Sequence, residues 1–396
     1  MQVYGLVAEY NPFHNGHKYM VDYLREHGAT HIVAVMSGNF VQRGSVAIMD
    51  KRARTIAAIE GGVDLVLELP VPWAVSSAEF FADGGVSVLN SLGCVDRFCF
   101  GAEDNDLNLL SKAKEAVSDP EVDSEIVENL RGGISYPVAR ELAVRDFYGD
   151  RVADILKGPN NILGIEYLKA LDKHSSSMMP FPVLRKGVHH DHMKETGEFA
   201  SASSLRIKME RDDDTIGLYM PETTVMEFER QKSIGRAPVR VEDSQRAILS
   251  RLRMMTVEDI RNAPDVSEGL EYRIYNAIQS ATSIEELYDI IKTKRYTRSR
   301  IRRIIIGLYL GIGPDDRREM PYIRVLGMND RGREILRTAK DTATLPVVMK
   351  ASQFINLPEN AKHVFELEQR ATNLYNLAGP RILPCGTELT DEIIFI

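Results

Sequence analysis

Two histidines, His14 and His17, flank Gly16 where an apolar run, Val3 to Ala8, gives way to a polar segment with helical periodicity. The run reads as a buried strand. Asn11-Pro12 breaks it, and Gly16-His17-Lys18 opens an amphipathic helix reaching roughly His27. A spacing of three places both imidazoles on one face of that helix. Amides at a helix start and the positive end of the helix dipole favour an anion at such a turn. With the close-approaching Gly16 backbone they form a donor set suited to charge developing on phosphoryl oxygens. The plainer reading is a capped turn with surface histidines, and the strand and Asn-Pro break ahead of it favour the phosphate site.

Three further stretches carry chemistry. In Ser201-Ala-Ser-Ser-Leu-Arg206, small hydroxyl residues such as Ser201 and Ser203 start a helix with exposed amides, and Arg206, one turn in, is placed to grip a leaving pyrophosphate. Read alone, the same residues make an ordinary helix cap. In Ser37-Gly-Asn-Phe-Val-Gln-Arg-Gly44, the side chains of Ser37, Asn39, Gln42 and Arg43 form a compact loop for a small anion. Asp50 then caps a helix whose Lys51 and Arg54 are expected to point back toward phosphate; a solvated loop and a charged helix start are the bland alternative. Residues 292–303 hold seven Lys or Arg in twelve positions and no acid: Lys292, Lys294, Arg295, Arg298, Arg300, Arg302 and Arg303, with Tyr296 among them. In an acidic chain this concentration reads as an RNA-phosphate surface rather than a merely solvated helix face, extendable through Arg317, Arg318, Arg324, Arg331 and Arg333. His189-His190-Asp191-His192 is read as a polar loop near the phosphates, with His190 touching them, because consecutive histidines cannot all aim at one ion; no protein-held metal is expected. Trp73 reads as packing.

The elements that must position these groups follow from the alternation of patterns. Strand signals at Val3–Ala8, His31–Met36, Leu65–Leu69 and Val95–Phe100 alternate with helical ones near 15–27, 50–60 and 77–92, which predicts an α/β, doubly wound parallel sheet. Residues 104–150 read as a helical insertion covering the sheet. A helix follows from Pro159 with Asn160 or Asn161 as its cap, and Pro182–Arg185 reads as a short strand. The expected division is a catalytic domain over 1–235, a mainly helical RNA-binding region over 236–312 and a small mixed α/β region over 313–396.

Composition sets outer bounds. The 396 residues are too many for one ordinary core, and 44% hydrophobic with 27% charged is a soluble globular composition. No apolar run is long enough to span a bilayer, and the chain leads directly into a strand without a secretory signal. The three cysteines, Cys94, Cys99 and Cys385, include no Cys-x-x-Cys pair, so the cytoplasm is the expected compartment. A net charge of −8 argues against indiscriminate nucleic-acid binding and leaves a local basic patch as the relevant feature.

The motifs also carry a resemblance. His14-Asn-Gly-His17 is similar to the nucleotide-binding motif shared by adenylyltransferases and class I aminoacyl-tRNA synthetases, and Ser201–Arg206 to that superfamily's Ser-Ser-Thr-x-Ile-Arg motif, from which it departs at Ala202 and Ser203. Taken in order with Ser37–Gly44, Phe100-Gly-Ala-Glu103, Asn160–Lys169 and Lys294–Ile301, the ensemble resembles the bacterial tRNA(Met) cytidine acetate ligase family over nearly the whole chain. The resemblance implies a Rossmann-like nucleotidyltransferase fold and an enzyme that uses ATP to activate acetate and acetylates the wobble cytidine of elongator tRNA(Met). On that basis Val7, Ala8, Glu9, Tyr10, Asn11, Pro12, Phe13, His14, Asn15, Gly16, His17, Lys18, Tyr19 and Met20, with Gly101, Asn160 or Asn161, and Arg185, are expected at the ATP site. Lys186 is an alternative to Arg185. ATP is expected to bring Mg2+ held mainly by its phosphates. A small-molecule adenylyltransferase that joins AMP to a phosphate-bearing cofactor precursor accounts for the first two motifs but leaves the basic run without a task.

Overall fold

A computed structural model describes residues 1–185, 197–267, 269–293 and 296–396. The expectations for Lys186, His189 to His192, Lys294 and Arg295 lie outside the described residues. In chain order come β1 (Val3–Ala8), α1 (Asn15–Glu26), β2 (His31–Ser37), a hairpin of β3 (Phe40–Val41) and β4 (Ser45–Val46), α2 (Lys51–Glu60), β5 (Leu65–Leu69), α3 (Val71–Ala74), α4 (Ala78–Leu92) and β6 (Arg97–Ala102). Then follow α5 (Leu107–Ala116), α6 (Pro120–Arg131), α7 (Tyr136–Tyr148), α8 (Asp150–Ile155), α9 (Pro159–Lys173), β7 (Met179–Leu184), α10 (Ala202–Glu210) and α11 (Glu222–Ser233). The helical stretch is α12 (Gln245–Arg253), α13 (Val257–Arg261), α14 (Leu270–Ser280), α15 (Ile284–Ile291) and α16 (Arg298–Leu310). The chain ends with β8 (Ile323–Met328), α17 (Asp330–Thr342), β9 (Val347–Val348), α18 (Glu359–Tyr375), α19 (Thr387–Thr390) and β10 (Ile394–Phe395).

The main sheet has the order β10-β8-β5-β2-β1-β6-β7, with β9 on β8. All its pairs are parallel except β5 with β8. Alternate side chains of the central strands serve two cores. Val3, Val33, Val35, Leu65 and Leu67 pack toward α4 and α9, whereas Tyr4, Leu6, Ile32, Ala34, Met36 and Val66 pack beneath α1 and α2. Burial on both faces explains why these strands read as continuous apolar runs. Helices α12 to α16, with α18, enclose a separate core rich in isoleucine and leucine. Trp73 is buried against Gly84, as packing.

The segment 313–396 contributes to the main sheet: β8 and β10 extend it beyond β5. Every residue of β8 is buried: β5 pairs along its edge, and helices α2, α4 and α17 pack against it. Helix α9 is capped neither by Asn160 nor by Asn161. Gly158 is its N-cap, and Glu103 accepts hydrogen bonds from the amides of Asn160 and Asn161 at 3.2 and 2.8 Å. Among the described residues no helix is long and apolar enough to cross a membrane.

The chain runs outward from β1 to β2 to β5, then returns past β1 to β6. Strand order therefore reverses between β1 and β6, and a crevice is expected at their C-terminal ends.

Candidate active site

A cavity of about 270 Å³ lies at that reversal point. Its floor is the C-terminal ends of β1, β6 and β7, its rim the starts of α1, α9 and α10, and its far side Gln42 and Arg43 of the β3–β4 hairpin. Gly16, Asn160 and Ala202, each within the first three residues of its helix, all line it. Three positive dipole ends thus converge on one cavity, an arrangement that favours an anion.

The two histidines are locked by the backbone of their own turn. His14 is the N-cap of α1, and its Nδ1 accepts the Gly16 N–H at 3.0 Å. His17 Nδ1 accepts the His14 N–H at 3.2 Å. Gly16 permits this, since a Cβ there would meet the His14 ring at 2.9 Å. The rings stack at 3.8 Å between centroids, and Tyr10 meets His17 edge-on at 4.9 Å. Burial lowers the His14 pKa to about 3, helped by the charges of Arg185 and Arg206. Burial, His14 and Arg185 hold His17 well below the ordinary histidine value as well. Both imidazoles are therefore neutral at pH 7. Because each Nδ1 accepts, each proton must reside on Nε2, which leaves two N–H donors on the cavity rim.

Arg206 latches the second motif to the first. Its guanidinium donates to the Asn11 carbonyl at 2.8 Å and to Ser203 Oγ at 3.0 Å. Ser201 Oγ caps α10 by accepting the Ser204 N–H. Arg185 donates to Asn160 Oδ1 at 3.1 Å, and its aliphatic stem lies against Gly101. Glu9 Oε1 accepts the Gln42 N–H at 2.9 Å and so ties the first motif to the hairpin.

The cavity gathers Val7, Ala8, Glu9, Tyr10, Asn11, His14, Gly16, His17, Tyr19, Met20, Gln42, Arg43, Gly101, Asn160 and Arg185. Other expected residues support it without lining it. Phe13 is buried against Tyr10, and Asn15 Nδ2 donates to the Glu198 and Leu218 carbonyls. Lys18 pairs with Asp22, Pro12 follows a cis bond, and Asn161 accepts the amides of Glu103 and Asp104 through Oδ1. Arg206 likewise does not line the cavity, although Ala202 of the same helix does.

Ser37, Asn39, Lys51 and Arg54, expected as anion ligands, are all buried, and none lines the cavity. Ser37 and Asn39 are buried, and Asn39 is spent on Thr372 Oγ1 and the Lys51 N–H. Lys51 Nζ lies between Glu68 and Glu388 at 2.6 and 2.7 Å, and Arg324 bridges the same two carboxylates. Burial works against the Lys51 ammonium, but the two carboxylates outweigh it and raise its pKa. Arg54 is fully buried and donates to the Met49, Glu9, Ser37 and Gly38 carbonyls. These cations brace the loop from beneath: the carboxylates on Lys51 come from β5 and α19, and the carbonyls on Arg54 come from Glu9, Ser37, Gly38 and Met49.

Sequence reasoning missed the apolar wall: Leu6, Phe81, Cys99, Phe100, Leu163, Tyr167, Val183 and Leu184. No local signal separates these from other core residues of strands and helices. Among the described residues no group of three or more His, Cys, Asp or Glu is placed to hold a metal ion, and Glu9 is the carboxylate that faces the cavity.

The profile of the family described as HIGH Nucleotidyl Transferase matches residues 1–385. The tRNA(Met) cytidine acetate ligases of Acetivibrio thermocellus and Thermoanaerobacter pseudethanolicus are each 42% identical to this chain, with all of both chains covered. Thermotoga maritima TmcAL bound with alpha-thio ATP superposes over all of both chains with a TM-score of 0.93 at 33% identity, and its apo form with 0.94. A match that runs end to end through both motifs and the basic helix places the chain, which belongs to the HIGH nucleotidyl transferase family and, within it, to the tRNA(Met) cytidine acetate ligases.

Proposed function

We propose that this chain is an ATP-dependent acetate ligase acting in the cytoplasm, which forms acetyl-adenylate in the cavity and transfers the acetyl group to the exocyclic amine of the wobble cytidine of elongator tRNA(Met). The observation that carries the reading is the pair of neutral, tautomer-locked imidazoles set at the start of α1 beside two more helix N-termini. An acetate oxygen attacks the α-phosphorus, a new P–O bond forms, and the bond to the β-phosphate oxygen breaks to release pyrophosphate. The Nε2–H groups of His14 and His17 and the helix-start amides donate to the phosphoryl oxygens as charge grows there. Arg185 adds positive charge at the cavity, and Arg206 holds the Asn11 carbonyl so that the turn keeps its shape. The cytidine amine then attacks the acetyl carbon, AMP leaves, and the amine gives up a proton.

The apolar wall of Phe81, Phe100 and Tyr167 suits a flat base, while Arg43 and Gln42 at the opposite side suit the acetate carboxylate. Magnesium would arrive with the nucleotide, held by its phosphates, with Glu9 within the same cavity. The similarity of the whole chain to named acetate ligases, including the basic helix, favours this reading over a small-molecule adenylyltransferase. Incubation with labelled acetate, ATP and purified tRNAs tests it. Label in elongator tRNA(Met) is expected; no label in any tRNA, with AMP transferred to a small phosphate ester, would refute it.

A further inference from the structure

The basic run is less free than its composition implies. Arg298 is held by Asp289 at 2.6 Å and by Glu285, and Arg302 reaches Glu285 at 3.3 Å. Arg300 donates to the Asp265 carbonyl at 2.8 Å and to Ser267 Oγ at 3.1 Å. The charge of Arg298 and Arg302 is matched within the helical part, and the donors of Arg300 are taken by neutral oxygens there. Arg303 differs. Among the described residues it forms no hydrogen bond or ion pair, and its Nε is buried without an acceptor.

Near it lies Arg317, from the loop that follows α16, which is only slightly better matched. Its side chain is 7% exposed and its Nε is also buried without an acceptor. Its guanidinium lies over the Phe80 ring at 5.3 Å, and its one carboxylate contact, Asp265, is at 3.7 Å. The two guanidiniums therefore share Asp265, and Asp316 acts on Arg317 alone. Buried cationic donors left unmatched are costly, and a site that keeps them gains most from an external anion.

Both also touch elements that line the cavity. Gly44, with φ of +69°, presses on the α16 backbone at Arg302 and Arg303 so closely that an added Cβ would collide with it. Its neighbour Arg43 lines the cavity. Phe80 beneath Arg317 precedes Phe81, which lines the cavity as well.

We propose that Arg303 and Arg317 form a seat for one backbone phosphate of the RNA substrate, next to the nucleotide whose base enters the cavity. The inference rests on the tRNA-acetylating reading above. Paired planar guanidiniums present the forked donors that a phosphate accepts. The three helix N-termini already provide for the triphosphate on the other side of the hairpin, so the seat is left for the polynucleotide.

The test measures tRNA(Met) affinity for the full chain across a salt series, with R303Q, R303K and R317Q beside the wild type. R303Q and R317Q should each bind on the order of tenfold more weakly and flatten the log–log salt slope by about 0.7–0.9. R303K should restore the slope, since it keeps the charge, and only part of the affinity. ATP affinity of R303Q should match the wild type, and its melting temperature should be no lower, since the unmatched buried cation is removed. Wild-type tRNA affinity and slope in R303Q, or a loss of ATP affinity in place of RNA affinity, would overturn the seat. A wild-type protein that binds no tRNA would overturn the seat and the proposed function together.

Discussion

Replacing Lys51 by Met separates a structural role from the phosphate-binding role that its sequence position implies. The Lys51 side chain is 6% exposed, and its ammonium lies 2.6 and 2.7 Å from Glu68 and Glu388, whose side chains are 0% and 1% exposed. Removing Lys51 leaves two buried carboxylates with Arg324 as their remaining cation, at a cost of about 3–5 kcal/mol. With about 2.1 cal/mol/K of unfolding entropy per residue, a chain of 396 residues melting as one unit would lose roughly 4–6 °C. The loss should depend on pH. Burial alone would raise the Glu388 carboxyl, but Lys51 and Arg324 bring it down to about 2 from 4.5. Its stabilising contribution is therefore complete above pH 4.5 and disappears as pH falls through 2. In K51M that contribution is smaller, so the acid limb of the stability curve should be shallower than in the wild type. Calorimetry and urea unfolding between pH 2 and 7 measure both quantities, and the KM for ATP, measured below the melting range, should be unchanged. Unaltered stability together with a raised KM for ATP would refute the reasoning and return Lys51 to the phosphate.

Two further outcomes follow from the cavity. Because burial holds His14 neutral down to about pH 3, pyrophosphate release should show no inflection from either histidine between about pH 5.5 and 8; an ascending limb near pH 6.5 that vanishes in H14A would contradict the neutral pair. Glu103→Ala removes the acceptor for the Asn160 and Asn161 amides, so α9 and Arg185 should loosen; several-fold weaker ATP binding by calorimetry is expected, with Asn160→Ala adding little further loss in the double variant.

Much of the fold was legible where burial leaves a local trace. The apolar runs at Val3–Ala8 and Leu65–Leu69 mark strands covered on both faces, and Asp50, Gly61 and Gly93 mark helix limits. His14, Gly16 and His17 were legible because a strand, a break and a helix start in sequence order determine which way they face. What depends on distant partners was not. Lys51 and Arg54 look like phosphate ligands until Glu68, Glu388 and the loop carbonyls come to meet them. The antiparallel pairing of β8 with β5 was not legible either, since nothing local encodes a partner some 250 positions away. The basic run likewise hid its own neutralisation, because Glu285 and Asp289 lie on the preceding helix.

The central claim is that ATP is opened at the two tautomer-locked histidines. Acetate-dependent pyrophosphate release by H14A, H17A and the double variant tests it most directly, with ATP binding measured alongside. Loss of such donors costs about 10²–10³ in rate, so each single variant should fall by roughly that factor and the double variant to background, with folding intact. Near-normal release from the double variant would contradict the claim.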